Sequence, residues 1–119
     1  MFSLFKREPE EIKFTNDNKE LFTFLLTDIY TILRDNAYTH QANWIIQILS
    51  CVEKEDTVGF KKKVVSTDLL GGAGSVVDVW IDDKEKMERL DELMNSFLKL
   101  TLESGLNNSV IKSRIIKKL

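Results

Sequence analysis

The glycine-rich stretch at 69–81, LLGGAGSVVDVWI, holds the residues of this chain that are most able to do chemistry. Successive backbone N–H groups in such a loop can bind an anion, phosphate above all. A phosphate-binding P-loop, however, needs a lysine directly after the loop, and a dinucleotide loop needs the spacing G-x-G-x-x-G between a strand and a helix. The chain has neither, so the spacing predicts a structural loop, with an anion-binding or enzymatic module as the alternative. The loop residues are Gly71, Gly72, Gly74, Ser75 and Asp78.

Ser75 and Asp78 have the S-x-x-D spacing of a capping box, which favours a helix start after the glycines. The β-branched residues of 76–81 favour a strand instead. Both interpretations stay open, with the helix start preferred. Because apolar residues surround Asp78, we expect its carboxylate to be partly buried and to accept hydrogen bonds from nearby N–H groups. Asp78 then holds the loop and does no acid–base chemistry.

The single histidine, His40, and the single cysteine, Cys51, cannot by themselves assemble a His/Cys metal site. A nucleophilic site would also need partner side chains that the sequence does not bring together. We therefore predict no catalytic residue, no metal and no cofactor. His40 is expected to be exposed or at a helix cap, and Cys51 to be a small core residue.

The composition is typical of one globular domain. The 119 residues are 43% hydrophobic, and the net charge of −2 is not typical of a protein that coats nucleic acid or anionic membrane. No apolar run approaches the roughly 18 residues of a membrane span, and the apolar N-terminal segment is too short for a signal peptide. One unpaired cysteine fits a reducing compartment. We expect a cytoplasmic protein with a flexible N-terminal arm over 1–14 and a globular domain over 15–119.

Apolar residues recur at helical spacing in three long segments, ELFTFLLTDIYTILRD, AYTHQANWIIQILSCVEK and KEKMERLDELMNSFLKLTLES. Two shorter segments, EDTVGFKKKVVS and NNSVIKSRIIKKL, are further helix candidates, although the first also ends in residues that suit a strand. The sequence therefore predicts a mainly α fold, a single-domain bundle of about four to five helices. A short β-ribbon near 63–81, which would make the fold α+β, is the alternative.

Polar residues before these segments are candidate helix caps. The first long helix has candidates at 16–18, and the second has Asp35 and Asn36. Asp56 precedes the short third segment. Asp82 or Asp83 precedes the last long helix, and Gly105 is placed where that helix should stop.

Six carboxylates crowd the start of the last long helix, whose apolar stripe includes Met87, Leu90 and Met94. With that stripe against the core, most carboxylates must face outward together, although like charges four residues apart cost a few tenths of a kcal/mol each. A basic partner would explain this crowding, and a merely solvated helix face is the alternative. The candidate partner-binding residues are Asp82, Asp83, Glu85, Glu88, Asp91 and Glu92.

Two further features concern possible partners. Trp44 and Trp80 are expected to be anchors of the core or its edge, and either can serve an interface. The basic C-terminus suits a helix end that complements the helix dipole, so we expect no direct binding of nucleic acid. A regulator that meets nucleic acid through this terminus is a third hypothesis, and it predicts salt-sensitive binding. Its basic residues are Lys112, Arg114, Lys117 and Lys118.

The stretch LLGGAGSVVDVWI, placed after a helical pair that includes ANWIIQIL, resembles a group of small bacterial proteins. Their mark is a G-G-x-G-S loop, an apolar pair, then Asp and more apolar residues, and it covers about a dozen residues here. These proteins are similar to the immunity partners of contact-dependent and polymorphic toxins. The group often has Asn directly before the Asp, where this chain has Val77, so any chemistry of that Asn is absent. The resemblance implies a non-enzymatic protein that neutralises a cognate toxin by direct binding, and the carboxylates suit a basic nuclease.

Overall fold

The structure is a computed structural model that describes residues 11–71 and 73–116. In this part of the chain it has six α-helices, one short 3-10 turn and no strand. The mainly α prediction is confirmed, and no β-ribbon forms among the described residues of 63–81. The elements are α1 (Asn16–Asp35), α2 (Thr39–Lys54), α3 (Thr57–Val64), α4 (Thr67–Leu70), the 3-10 turn (Val76–Asp78), α5 (Lys84–Glu103) and α6 (Ser109–Ile116).

Side-chain caps set the starts of most helices. Thr15 and Asn18 form a reciprocal capping box at the start of α1, with bonds of 2.8 and 3.1 Å, so the cap lies one residue before the predicted range 16–18. Asp56 accepts the Gly59 N–H at 2.9 Å and caps α3, as predicted.

The predicted cap of α2 by Asp35 or Asn36 is wrong. The Asn36 side-chain amide donates to the Ile32 carbonyl at 2.8 Å and so stabilises the end of α1. The chain then turns through Ala37, whose φ is +67°, and α2 starts after Tyr38 without a side-chain cap. The N-cap position of α2 belongs to Tyr38, two residues after Asn36, so the polar side chains at 35 and 36 precede the position from which they would cap this helix.

The core lies on one side of each long helix. α1 packs against both α2 and α5, and α2 packs in addition against α3 and α4. The predicted stripe of α5 is confirmed: Leu90 and Met94 are buried, and Met87 packs against the same cluster. α6 then packs against α5 and α4.

Four phenylalanines from four different segments meet in this core. Phe14, which precedes α1, Phe22 of α1, Phe60 of α3 and Phe97 of α5 have ring centroids 5.4–6.3 Å apart. Such edge-on and tilted contacts add to the free energy gained by burial. We call these residues the phenylalanine cluster.

The packed domain begins before the predicted boundary at residue 15. Ile12 is only 2% exposed, and the Lys13 N–H donates to the Ser104 carbonyl at 2.8 Å. The Asn18 side-chain amide also reaches the Ser104 hydroxyl at 3.0 Å. A flexible arm over 1–14 is therefore wrong for residues 11–14, because their apolar side chains complete the core. The remainder of that arm lies outside the described residues.

Candidate protein-binding surface

The glycine-rich loop is a corner between α4 and the 3-10 turn. Gly74 has a φ of +86°, as expected of a glycine in a tight loop, and its carbonyl accepts a 3.0 Å hydrogen bond from the Gln41 amide. Gly71 ends α4 with a φ of −90°, which any residue adopts. Gly72 lies outside the described residues. The hydrogen bond from Gln41 connects the glycine-rich loop to α2.

Ser75 and Asp78 do not hold this corner in the predicted way. Ser75 precedes the 3-10 turn but makes no side-chain cap, and its buried hydroxyl has no hydrogen-bond partner among the described residues. Asp78 is exposed and not partly buried. The capping box therefore does not form, because the backbone makes a single 3-10 turn and then extends. The buried side chains of Val76 and Val79 hold this turn against the core.

The residues after the turn are extended without pairing to another strand. Val79 has φ −65° and ψ 137°, and the N–H of Ile81 donates to the Met87 sulfur at 3.3 Å. Side chains alternate in an extended segment, so Val79 and Ile81 point into the core and Trp80 points out. Trp80 is 68% exposed. The expectation that Trp80 anchors the core or its edge is wrong, and its position suits the other predicted role, an interface.

Hydrogen bonds hold Trp80 at the surface. The Tyr38 hydroxyl donates to the Trp80 carbonyl at 2.5 Å and accepts from the Trp80 N–H at 3.3 Å. The indole Nε1 donates to Asp82 Oδ1 at 3.1 Å. A groove of about 430 Å³ runs beside the indole. We call it the Trp80 groove, and it is lined by Asn36, Tyr38, Trp80, Ile81, Asp82 and Asp83.

The predicted acidic residues occupy three kinds of position at the start of α5. Asp83 is the N-cap and accepts the Lys86 N–H at 3.1 Å. Asp91 is half-buried beside a cavity of about 160 Å³ that Arg114 also lines. The other carboxylates are exposed, and those of the helix proper fall on the side opposite the buried stripe. We call Asp82, Asp83, Glu85, Glu88 and Glu92 the acidic face.

Basic residues reduce the charge of this region without cancelling it. Lys84 and Lys86 lie between the carboxylates in the sequence. Arg89 reaches across to Asp28 of α1, with an N–O distance of 3.3 Å, and both side chains are well exposed. Surface pairs of this kind contribute little to stability. The five carboxylates of the acidic face outnumber the nearby lysines Lys84 and Lys86, and the region therefore keeps a net negative formal charge.

The lone histidine and cysteine are in separate places. His40 is exposed, and its Nε2 lies 3.4 Å from Asp68 Oδ1. Cys51 is buried in the core, as predicted, and burial raises the pKa of its thiol, with the charge of Asp56 adding to this effect. A raised thiol pKa keeps Cys51 neutral and unreactive at neutral pH.

The basic C-terminus is only partly available to a partner. Arg114 donates from Nη2 to the Leu70 carbonyl at 2.6 Å, and its Nε is buried without a hydrogen-bond partner among the described residues. Lys112 is exposed. Lys117 and Lys118 lie outside the described residues. Of the two basic side chains that the structure describes here, Arg114 holds α6 against α4 and Lys112 is exposed.

The Trp80 groove contains three residues that sequence reasoning did not assign to a site: Asn36, Tyr38 and Ile81. The sequence makes Asn36 a candidate cap and puts Tyr38 at the start of the second helical segment, and neither pattern indicates a groove. The sequence VWI could have indicated the exposed position of Trp80. In an extended backbone neighbouring side chains point to opposite sides, so Trp80 points outward when the flanking apolar residues are buried. The preference for a helix start at 76–81 concealed that signal.

Comparisons with known proteins place this chain in no family. No family model matches it, and neither the curated proteins nor the solved structures contain a significant match. In the part of the chain that the structure describes, no helix has the length and apolar character needed to cross a membrane. Over the same residues, no three histidine, cysteine or acidic side chains come together as a metal site.

Proposed function

We propose that this chain is a non-enzymatic binding protein of the cytoplasm, an immunity protein that neutralises a contact-dependent or polymorphic bacterial toxin by direct binding. The observation that carries the proposal is the exposed, hydrogen-bonded Trp80 beside the acidic face. The resemblance of the GGAGS loop to immunity partners of such toxins supports the same conclusion.

An exposed tryptophan held in one position is a strong candidate for an interface anchor. Tryptophan is enriched among the few residues that dominate binding energy, and such residues need a fixed geometry and a pocket on the partner. The Tyr38 hydroxyl fixes the backbone of Trp80, and Asp82 fixes its ring. Little conformational entropy is then lost when a partner covers the indole.

The charge of the acidic face supports a basic partner. Carboxylates grouped at the surface attract a basic protein over a distance and raise its association rate. Nuclease toxins are basic because they bind phosphate, so they are the class of toxin that this surface fits best. Trp80 would contribute most of the affinity, and the acidic face would raise the association rate.

Co-expression tests the proposed function. Each candidate toxin domain encoded by a neighbouring gene is induced in bacterial cells with and without the chain, and growth is measured. We expect the chain to restore growth and the Trp80→Ala variant to fail. Phe24→Ala is the matched control, because Phe24 of α1 is a similarly exposed aromatic residue that does not line the groove. Absence of protection by the wild-type chain contradicts the immunity function.

A further inference from the structure

We infer that the Trp80 groove binds the guanidinium group of one arginine side chain, presented by the basic partner. This inference rests on the proposed function for the identity of the partner. The chemistry of the groove can be measured without that partner. Three features of the groove carry the argument: an open indole face, two carboxylates with a free oxygen each, and a lining without basic side chains.

The indole is the first feature. Tryptophan is the best aromatic side chain for binding a cation over its ring face, and the attraction is largest when the ring is fixed and partly shielded from water. The hydrogen bond from Nε1 to Asp82 uses the ring edge and leaves the face available. Because 68% of Trp80 is exposed, an incoming side chain can reach the ring from solvent.

The carboxylates are the second feature. Asp82 uses Oδ1 to accept from the indole, and Asp83 uses Oδ1 to accept the Lys86 N–H. Among the described residues, none donates a hydrogen bond to the Oδ2 atom of either carboxylate. Each side chain is thus oriented by one oxygen and offers the other. Two fixed acceptors beside an aromatic face match the flat, multi-donor guanidinium.

The lining of the groove is the third feature. Its six residues include two carboxylates and no lysine or arginine, so the negative charge inside the groove has no internal counterion there. Arginine suits this site better than lysine because its planar group stacks on aromatic rings, is weakly hydrated and donates in several directions. A lysine ammonium is compact and strongly hydrated. It stacks on the indole less well than a guanidinium does, and it is less able to donate to both carboxylates at once.

Titration of Trp80 fluorescence with short peptides tests the inference. The variant Trp44→Phe leaves Trp80 as the only tryptophan of the chain. An acetylated, amidated Gly-Arg-Gly peptide is compared with the same peptide carrying lysine or citrulline, the uncharged isostere of arginine. We expect saturable binding of the arginine peptide, about threefold to tenfold tighter than either alternative. Equal affinity of the arginine and citrulline peptides, or of the arginine and lysine peptides, overturns the inference.

Isosteric variants locate the binding at the groove. Asp82→Asn and Asp83→Asn keep an acceptor for the indole and for the helix cap while they remove the charge. We expect each to weaken arginine-peptide binding about threefold, and Glu53→Gln, an exposed position on α2, to leave it unchanged. If Trp44→Phe does not fold, the shift of the Trp80 indole N–H resonance in the wild-type chain gives the same comparison. An affinity for the arginine peptide that is unchanged in both Asp variants overturns the inference.

The peptide and growth measurements separate this inference from the proposed function. Selective binding of arginine together with absent toxin protection supports the groove chemistry and contradicts the immunity function. Protection that needs Trp80 together with equal binding of arginine and citrulline peptides supports the function and overturns the groove chemistry.

Discussion

Of the two glycines with a positive φ among the described residues, Gly105 is the one whose replacement should cost more stability. It follows α5 with a φ of +118°, and a Cβ there would lie 2.6 Å from the Glu11 carbonyl oxygen. Gly105→Ala should lower the free energy of unfolding by about 2–3 kcal/mol, because strain and a backbone clash add. Gly74→Ala is the control: its φ is +86°, but nothing lies within 4 Å of the added Cβ. Urea denaturation of both variants measures the difference. Equal losses would show that the clash relaxes without cost.

Ser75 and Asp78 give a second prediction at this scale. The Ser75 hydroxyl is 2% exposed and has no partner among the described residues, so it is desolvated without compensation. Ser75→Ala should keep or raise the free energy of unfolding, by up to about 1 kcal/mol. Asp78→Ala should change it by less than about 0.5 kcal/mol, because the side chain is exposed. Thermal melts test both. A loss above 1 kcal/mol in Ser75→Ala would mean that its hydroxyl has a partner.

The sequence predicted single residues well where one local interaction decides them. Asp56 and Asp83 are N-caps because the polar atom, the first helical turn and the spacing are all local. Asp78 was misjudged because its burial depends on which way a turn faces, and the β-branched neighbours carry no information about that direction. Trp80 was misjudged for the same reason.

At the scale of the helix, Asp83 has two roles that substitution can separate. It caps α5 through the Lys86 N–H and also lines the Trp80 groove. Asp83→Ala should lower the free energy of unfolding by about 1 kcal/mol, whereas Asp83→Asn should stay within a few tenths of the wild type because asparagine also caps helices. Both variants should weaken binding of a basic partner. If Asp83→Asn destabilises as much as Asp83→Ala, the charge and not the cap stabilises α5.

The helices themselves were largely predictable, and the connections were not. The stripe of α5 and the stop at Gly105 follow from periodicity and one glycine. The short segment 76–81 had competing signals, since capping-box spacing and β-branched residues favour different backbones. The segment forms a 3-10 turn followed by extended backbone. Burial of Val76, Val79 and Ile81 against the core determines this conformation, and burial is a tertiary effect that local patterns do not encode.

For the molecule as a whole, the acidic face should control the rate of association. Replacement of Glu85, Glu88 and Glu92 by lysine should slow association with a basic toxin at least tenfold. The melting temperature should fall by only a few degrees, because all three side chains are exposed and only Glu85 lies in the first turn of α5. Stopped-flow mixing at low and high salt measures the association rate. The wild-type rate should fall with salt and the variant rate should not. An unchanged rate in the triple variant would place the interface away from α5.

The site could be predicted only in part, because it joins residues from distant parts of the chain. The six acidic residues were visible as a run in the sequence, and five of them are well exposed. The Trp80 groove was not visible, since Tyr38 and Trp80 are 42 residues apart and meet through a hydrogen bond that no local pattern encodes.

The phenylalanine cluster has a consequence for how the protein opens. Its rings come from the segment before α1 and from α1, α3 and α5, so none of these can leave the core without exposing the others. α3 has only eight residues and would fray quickly alone. Native-state hydrogen exchange should nevertheless give the inner amides of α3 the same opening free energy as those of α1, while α6, without a ring in the cluster, exchanges sooner. Faster exchange in α3 than in α6 would contradict this. If the prediction holds, a helix of two turns exchanges as slowly as the longest helices of the fold, because it can open only when they do.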